Sequence, residues 1–297
     1  MAGEIVMRIT PTMQYTKFLD SLRTLRERMA ANQSHAGSGL RVEKPSDDPQ
    51  AAAEAVSLRA QIAALQRYSS NASAASGFLN VTDSTLSAVG DQLASARAEA
   101  LRGASDTTGD AGRRQIASTI DTIRGQVLSF ARTRYQERYL FSGTDTRTNP
   151  YSDAGAYQGN DGTIQVETGD GETLTLNAKG SDVFGTGTGI FGVLDGLSAA
   201  LRSGDTTAIA AAADSIEAFR QRISDVRTTV GQSMARIDAS VQRNDTTRVS
   251  LTGRLSKVEE VDMAEVITNM ANDQSNEQLL LATGARIGAK SLFDYLG

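Results

Sequence analysis

Few residues in this chain are placed to do chemistry. Gly187-Thr188-Gly189-Ile190-Phe191-Gly192 has the glycine spacing of a dinucleotide-binding turn. That turn works when a strand leads into it and a helix starts after it, so that backbone amides face a pyrophosphate. A Gly/Thr-rich stretch precedes it here instead of a clear βαβ unit, and the segment reads as a flexible return linker. Asp47 and Asp48 are neighbouring carboxylates, the type that holds a metal or divides acid and base work. They lie between Pro45 and Pro49, where a carboxylate has a simpler use. At a helix start it meets unpaired N–H groups and the positive end of the dipole. His35 lies in a Ser/Ala/Gly stretch and reads as a solvated hinge residue. Asn32, Asn71, Asn80 and Asn244 each open an Asn-x-Ser/Thr sequon, but all four fall on helically patterned segments, so they read as chance matches.

Composition removes most other chemistry. The chain has 297 residues, no Cys, no Trp and one His, with a net charge of -5. Disulfides, thiolate metal sites and a cysteine nucleophile are excluded. One His leaves no His-pair metal site and no Ser-His-Asp set with a His to spare. The mild acidity argues against nucleic acid as a partner. No apolar run approaches the ~18 residues of a membrane span. The first 14 residues lack the basic and apolar regions of a signal peptide. The expectation is a soluble, non-enzymatic protein with no catalytic, cofactor or metal residues and no membrane contact, exported, if at all, without a cleaved signal.

The remaining information is in the patterning. Prolines stand only at 11, 45, 49 and 150, leaving long stretches free for unbroken helix. Tyr15, Phe18, Leu22, Leu25 and Met29 follow one another at steps of three and four, which is a coiled-coil seam. That helix is expected to stop in the flexible Ser34–Gly39 segment. Lys44-Pro45-Ser46-Asp47-Asp48-Pro49 then marks the start of the next one. Leu58, Leu65, Ala72, Leu79, Leu86, Leu93 and Ala100 are spaced by seven, predicting one helix over 50–101, roughly 75 Å long. Ile116, Ile120, Ile123, Val127 and Phe130 predict a third helix running to about Tyr139.

Residues 142–192 change character. Alternation over 163–168 and 173–176 around Gly169-Asp170-Gly171 predicts a β-hairpin within a small, surface-exposed module. Helix resumes after 193. Ile216, Ile223, Val230, Ile237, Asn244, Leu251 and Val258 repeat every seven residues, and Asn244 stands where a buried polar residue would fix helix register. The last helix carries Met263, Val266, Ile267, Met270, Leu280, Leu281, Ile287 and Leu292, with a gap at 273–278. The predicted fold is mainly α: a long antiparallel coiled-coil or helical bundle made from both chain ends, with a small β-rich inserted domain. The expected division is 1–35 with 262–297 as terminal helices, 36–141 with 193–261 as a bundle, and 142–192 as the insert.

Ser38 through Pro49 resembles the N-terminal signature shared by bacterial flagellins and the hook–filament junction proteins. Tyr139-Leu140-Phe141-Ser142-Gly143 with Tyr157-Gln158-Gly159-Asn160-Asp161-Gly162 is similar to that family's exit from its helical core. Val261-Asp262-Met263-Ala264-Glu265 is similar to the start of its C-terminal helix, and Ser291 through Leu296 resembles the junction proteins more than flagellin. Met7 matches the usual family start, so residues 1–6 read as an extension or a mis-called start.

The resemblance implies a structural adaptor of the external bacterial flagellum, exported unfolded through the flagellar type III channel. It implies terminal helices forming the inner layer of a tube, and a role joining a hook-side junction protein to flagellin. Expected partners are those two proteins, copies of the chain itself in a ring or tube, and a cytosolic export chaperone on the C-terminal helix. Because one amphipathic helix at each end cannot bury its stripe alone, Tyr15, Phe18, Leu22, Leu25, Met29, Met263, Ile267, Met270, Leu280, Leu281, Ile287 and Leu292 are the expected subunit-interface residues. A short flagellin is the alternative. A surface-displayed binding module or glycan-active enzyme on 142–192 is the third reading.

Overall fold

A computed structural model describes residues 11–296, with side chains over 13–286. The extension expected at residues 1–6 and the side chains of Ile287 and Leu292 lie outside the described residues. The elements run α1 (Pro11–Ser38), α2 (Pro49–Ala104), α3 (Asp110–Ala131), β1 (Arg134–Tyr135), β2 (Arg138–Tyr139), β3 (Gln165–Gly169), β4 (Glu172–Thr175), α4 (Gly180–Phe184), α5 (Gly189–Ser203), α6 (Thr206–Glu259) and α7 (Met263–Leu296). The chain divides into two compact units, 1–62 with 249–297 and 63–248, so the boundary falls inside α2 and α6.

The larger unit is built on the seven-residue rows. Ala72, Leu79, Leu86, Leu93 and Ala100 of α2 are fully buried, as are Ile216, Ile223, Val230 and Ile237 of α6. The two helices run antiparallel within this unit, linked by Arg227 to Asp83 at 2.9 Å and Arg97 to Glu217 at 3.2 Å. α3 presents Ile116, Ile120, Ile123 and Val127 to the same core, and α5 adds Leu194, Leu197 and Leu201. Ser198 of α5 donates to Asp121 of α3 at 2.5 Å, and Arg202 donates to Ser198, so the polar group in that packing is satisfied. α6 starts on Asp205, whose carboxylate accepts the Ala208 amide at 3.0 Å.

Three expectations are corrected. First, the third helix ends at Ala131 instead of Tyr139. Residues 134–139 fold into a two-stranded hairpin, Arg134 opposite Tyr139 and Tyr135 opposite Arg138. Its turn puts Gln136 and Glu137 at φ 45 and 65. Two positive φ values in a two-residue turn normally select Asn-Gly, so the sequence carried no turn signal there. Tyr135 holds the hairpin on α2 by an edge-to-face contact with Phe78, ring centroids 6.1 Å apart.

Second, residues 142–192 are not a surface module without a core. Tyr151, Phe184 and Phe191 are fully buried with Phe141 in one aromatic cluster, with Tyr151 5.3 Å from both Phe184 and Phe191 and Phe141 5.2 Å from Phe184. They belong to the same core as α2, α3, α5 and α6. Gly180 is required here, because a Cβ would stand 2.6 Å from the Tyr157 ring and 2.8 Å from the Tyr151 hydroxyl. Burial pushes the Tyr157 phenol up to about 12 and Tyr151 further, so both stay neutral. Residues 180–203 also contradict the reading that no stretch is apolar enough for a membrane span. That stretch is interrupted after Phe184 by Gly185 (φ 88), and Val183, Phe184, Ile190 and Leu194 point into the core.

Third, Asn244 is buried but serves a different contact. The predicted hairpin is present as β3 and β4, and Thr168 is left unpaired by a bulge between Glu167 and Gly169. Its carbonyl accepts from the Ser240 hydroxyl at 2.6 Å and the Asn244 amide at 2.7 Å. The polar position on α6 anchors the hairpin; it does not pair with a second helix.

Candidate functional site

The smaller unit brings two of the quoted sequence segments together. α1 continues as helix through the segment read as a flexible hinge, His35 included, and stops at Gly39 (φ 72). A loop then leads to α2. A turn from Lys44 to Asp47, with Pro45 at its second position, closes through the Asp47 amide on the Lys44 carbonyl at 3.0 Å. Asp47 braces that turn, accepting the Lys44 and Glu43 amides at 2.8 and 3.1 Å. Asp48 caps α2, taking the Ala51 amide at 3.0 Å ahead of Pro49. The cap reading therefore holds for Asp48, while Asp47 works on the turn before it. Lys44, Pro45, Ser46 and Asp47 are exposed and Asp48 is half-buried. Among the described residues no group of three or more His, Cys, Asp or Glu is arranged to hold a metal.

The segment after α1 pairs with the α6–α7 junction. Arg41 N donates to Glu259 O at 2.6 Å and Val261 N to Gly39 O at 3.1 Å. Arg41 also reaches the Val258 carbonyl at 2.9 Å and Asp48 at 3.3 Å. The buried Glu259 carboxylate is met by Arg59 at 2.9 Å, and Asp262 caps α7 through the Ala264 amide. The α1–α2 and α6–α7 connections are thus stitched into one elbow.

Its acids are tuned by these bonds. The Ser38 and Ser34 hydroxyls hold Glu43 below the ordinary carboxylate range, the Lys44 amide does so for Asp47, and the Ala51 amide for Asp48. Depressed folded pKa values mean that their contribution is complete above about pH 4 and is lost as pH falls through the folded values. The thermal midpoint should therefore drop on acidification below about pH 4. Asp47→Asn/Asp48→Asn should make that drop shallower; an unaltered pH profile in the double variant would remove the elbow acids from the account.

α1 and α7 pack side by side and antiparallel. Phe18, Leu22, Leu25, Met29 and Asn32 form one seam, and Val266, Met270, Asp273, Glu277, Leu280 and Gly284 the other. Leu25 and Val266 are buried; Phe18, Leu22, Met29, Met270 and Leu280 are half-buried. Of the residues expected from the sequence at subunit contacts, Tyr15 (53% exposed), Met263, Ile267 (60%) and Leu281 remain on the surface of the pair. Leu19 and Leu279 join them. An open groove of about 620 Å³ lies between α1 and α7, lined by Thr24, Leu25, Leu279 and Thr283 among others. The gap expected at 273–278 is corrected: Asp273 and Glu277 are seam positions filled by ion pairs with Arg28 and Arg26. A search for apolar residues alone passed over them; counting steps of three and four from Met270 finds both.

The third motif has a mechanical explanation. Asn160 ties Tyr157–Gly162 to Ser142–Thr144: its side-chain oxygen accepts the Thr144 amide at 2.9 Å and the Gly162 amide at 3.0 Å, and its backbone N–H donates to Ser142 O at 3.1 Å. The Gly187–Gly192 pattern leads from α4 into α5 with no strand directly before it, and its Ile190 and Phe191 are buried in the core.

Comparison with known proteins gives a consistent picture. A sequence profile described as the bacterial flagellin N-terminal helical region matches residues 9–146, and one described as the bacterial flagellin C-terminal helical region matches 213–296. The flagellar hook-associated protein 3 of Escherichia coli is 24% identical over 97% of this chain and 99% of its own length. That of Salmonella typhimurium is 27% identical over 60% of this chain, and the chain spans 57% of that relative's length. The solved structure of flagellar hook associated protein-3 from Legionella pneumophila has the same fold, with a TM-score of 0.62 at 13% identity over 68% of this chain and 98% of that one. Two profiles that together cover most of the sequence, in order and on the helices that form the elbow and the terminal pair, establish that the chain belongs to the bacterial flagellin family.

Proposed function

We propose that this protein is a structural adaptor at the hook–filament junction of the external bacterial flagellum, joining a hook-side junction protein to the flagellin filament. One observation carries the reading: α1 and α7 form a pair whose outer surface keeps Tyr15, Leu19, Ile267, Leu279 and Leu281 exposed. An apolar surface of that kind is completed by neighbours. Full-length similarity to a hook-associated protein 3 supports the junction as the place where it is completed. In this reading 1–35 and 262–297 supply the inner layer of a tube and contact copies of the same chain, 36–141 and 193–261 surround it, and 142–192 faces outward from a root in the core. The protein performs no catalysis. It leaves the cell by flagellar export, with a cytosolic chaperone covering the C-terminal helix beforehand. Heterologous contacts that close would give a ring, and contacts that do not close would give a filament.

The second reading, a short flagellin, is favoured by the flagellin profiles themselves. Deleting the gene from its host separates the two. The junction reading requires intact hooks without filaments and flagellin released into the medium, reversed by restoring the gene. Normal filaments in the deletion strain would overturn it. Long filaments grown from the purified chain alone would favour the flagellin reading.

A further inference from the structure

We infer that Asp273 with Arg28 and Asn32, together with Phe18 seated at Gly284, forms a register key that selects a single alignment of α1 against α7. This stands independently of the function proposed above.

Asp273 is the one acid buried in the α1/α7 seam among the described residues, at 3% exposure. It is met from α1 by a forked arrangement. Arg28 donates through Nε to one carboxylate oxygen at 3.2 Å and through a terminal nitrogen to the other, and Asn32 adds a bond at 3.0 Å. Removing a buried carboxylate from water is costly, and a charge pair of this kind contributes little net stability compared with apolar side chains of the same size. Its clearest use in a coiled coil is to exclude other alignments. One turn further along α7, Glu277 is met by Arg26 at 3.1 Å.

The geometry makes a slide expensive in both directions. Moving α7 by one heptad would bring either Ser21 and Leu25, or His35 and Gly39, to the places of Arg28 and Asn32. In the first case the carboxylate meets no cation. In the second it meets the last turn of α1, where the helix ends at Gly39. The far end of the seam agrees with this. The Phe18 ring lies so close to Gly284 that a Cβ there would overlap it; the first slide would bring Glu277 to that position and the second Ser291, so neither keeps a glycine opposite the ring. A polar layer and a ring-in-glycine fit, 10 residues apart on α1 (Phe18 to Arg28) and 11 on α7 (Asp273 to Gly284), thus specify the same register. On α1, Leu22 and Met29 are seven residues apart, as are Phe18 and Leu25, so the apolar positions of that helix repeat under a slide of one heptad.

The absence of cysteine makes the register directly readable. In the full-length monomer, Leu22→Cys/Leu280→Cys reports the observed alignment and Met29→Cys/Leu280→Cys reports a slide of seven residues. Intramolecular products are separated from dimers by mass. In the parent background the first pair should oxidise more than about tenfold faster than the second. With Arg28→Leu/Asp273→Leu added, that preference should fall to about twofold while the helical signal is kept. Asp273→Asn, which keeps the shape and loses the charge, should lie between. Exclusive oxidation of the 22–280 pair in the leucine background would overturn the proposal, because the apolar seam would then set the register unaided. Loss of both cross-links would overturn it as well, since the layer would then hold the helices together and select nothing.

Discussion

Replacing residues 142–192 with a short Gly/Ser linker is expected to unfold the larger unit. The segment supplies Tyr151, Val183, Phe184, Ile190 and Phe191, all fully buried, and includes the first turn of α5. Truncating one buried phenylalanine costs ~3–5 kcal/mol. Removing this set together exceeds the ~5–15 kcal/mol that holds a typical domain folded. The helix signal per molecule should fall far more than the deleted residues explain, because α3 and the facing stretches of α2 and α6 lose what they pack on. A helix signal that survives the replacement would restore the separable module that composition suggested.

Leu86→Ala should cost ~2–5 kcal/mol. Leu86 is fully buried in the row from Ala72 to Ala100, and with Ile223 it lines the groove between α2 and α6. In a unit of this size the thermal midpoint should drop by roughly 2–4 °C for each kcal/mol. Thr107 stands exposed after the end of α2, and Thr107→Ala should leave the midpoint almost where it was. Equal small shifts in the two variants would mean that the heptad row is not the core of the bundle.

The parts legible in the sequence are those governed by a fixed period or a local rule. The rows on α2 and α6 were readable because burial repeats every seven residues on helices that coil together, and the observed burial follows them at Leu58, from Ala72 to Ala100 and from Ile216 to Leu251, with Leu65 half-buried. Asp48 before Pro49 was readable because capping needs only a neighbouring carboxylate and a proline. The aromatic core was not readable. Phe141, Tyr151, Phe184 and Phe191 come from loops and short elements with no common spacing, and only the closed fold brings their rings together. Gln136-Glu137 hid a hairpin because neither residue favours the conformation that the turn imposes. At the terminal pair the apolar half of each seam was visible. Asp273 and Glu277 were not, because a charged residue at a seam position is identified by its partner on the other helix, 245 residues away for Asp273 and 251 for Glu277.

The grip on Thr168 has a mechanical meaning. Ser240 and Asn244 are successive residues on one face of α6, a single turn apart, and they converge on one oxygen. Two donors on one acceptor act as a caliper across that turn: lengthening its pitch opens one bond or the other. Beside it, Arg243 holds Glu172 of β4 at 2.6 Å. A tug on the hairpin is therefore delivered to about one turn of a 54-residue helix, and a local overwinding of that turn would tilt the hairpin in return. α6 and the β3–β4 ribbon are thus clamped to each other within this one turn of the long helix.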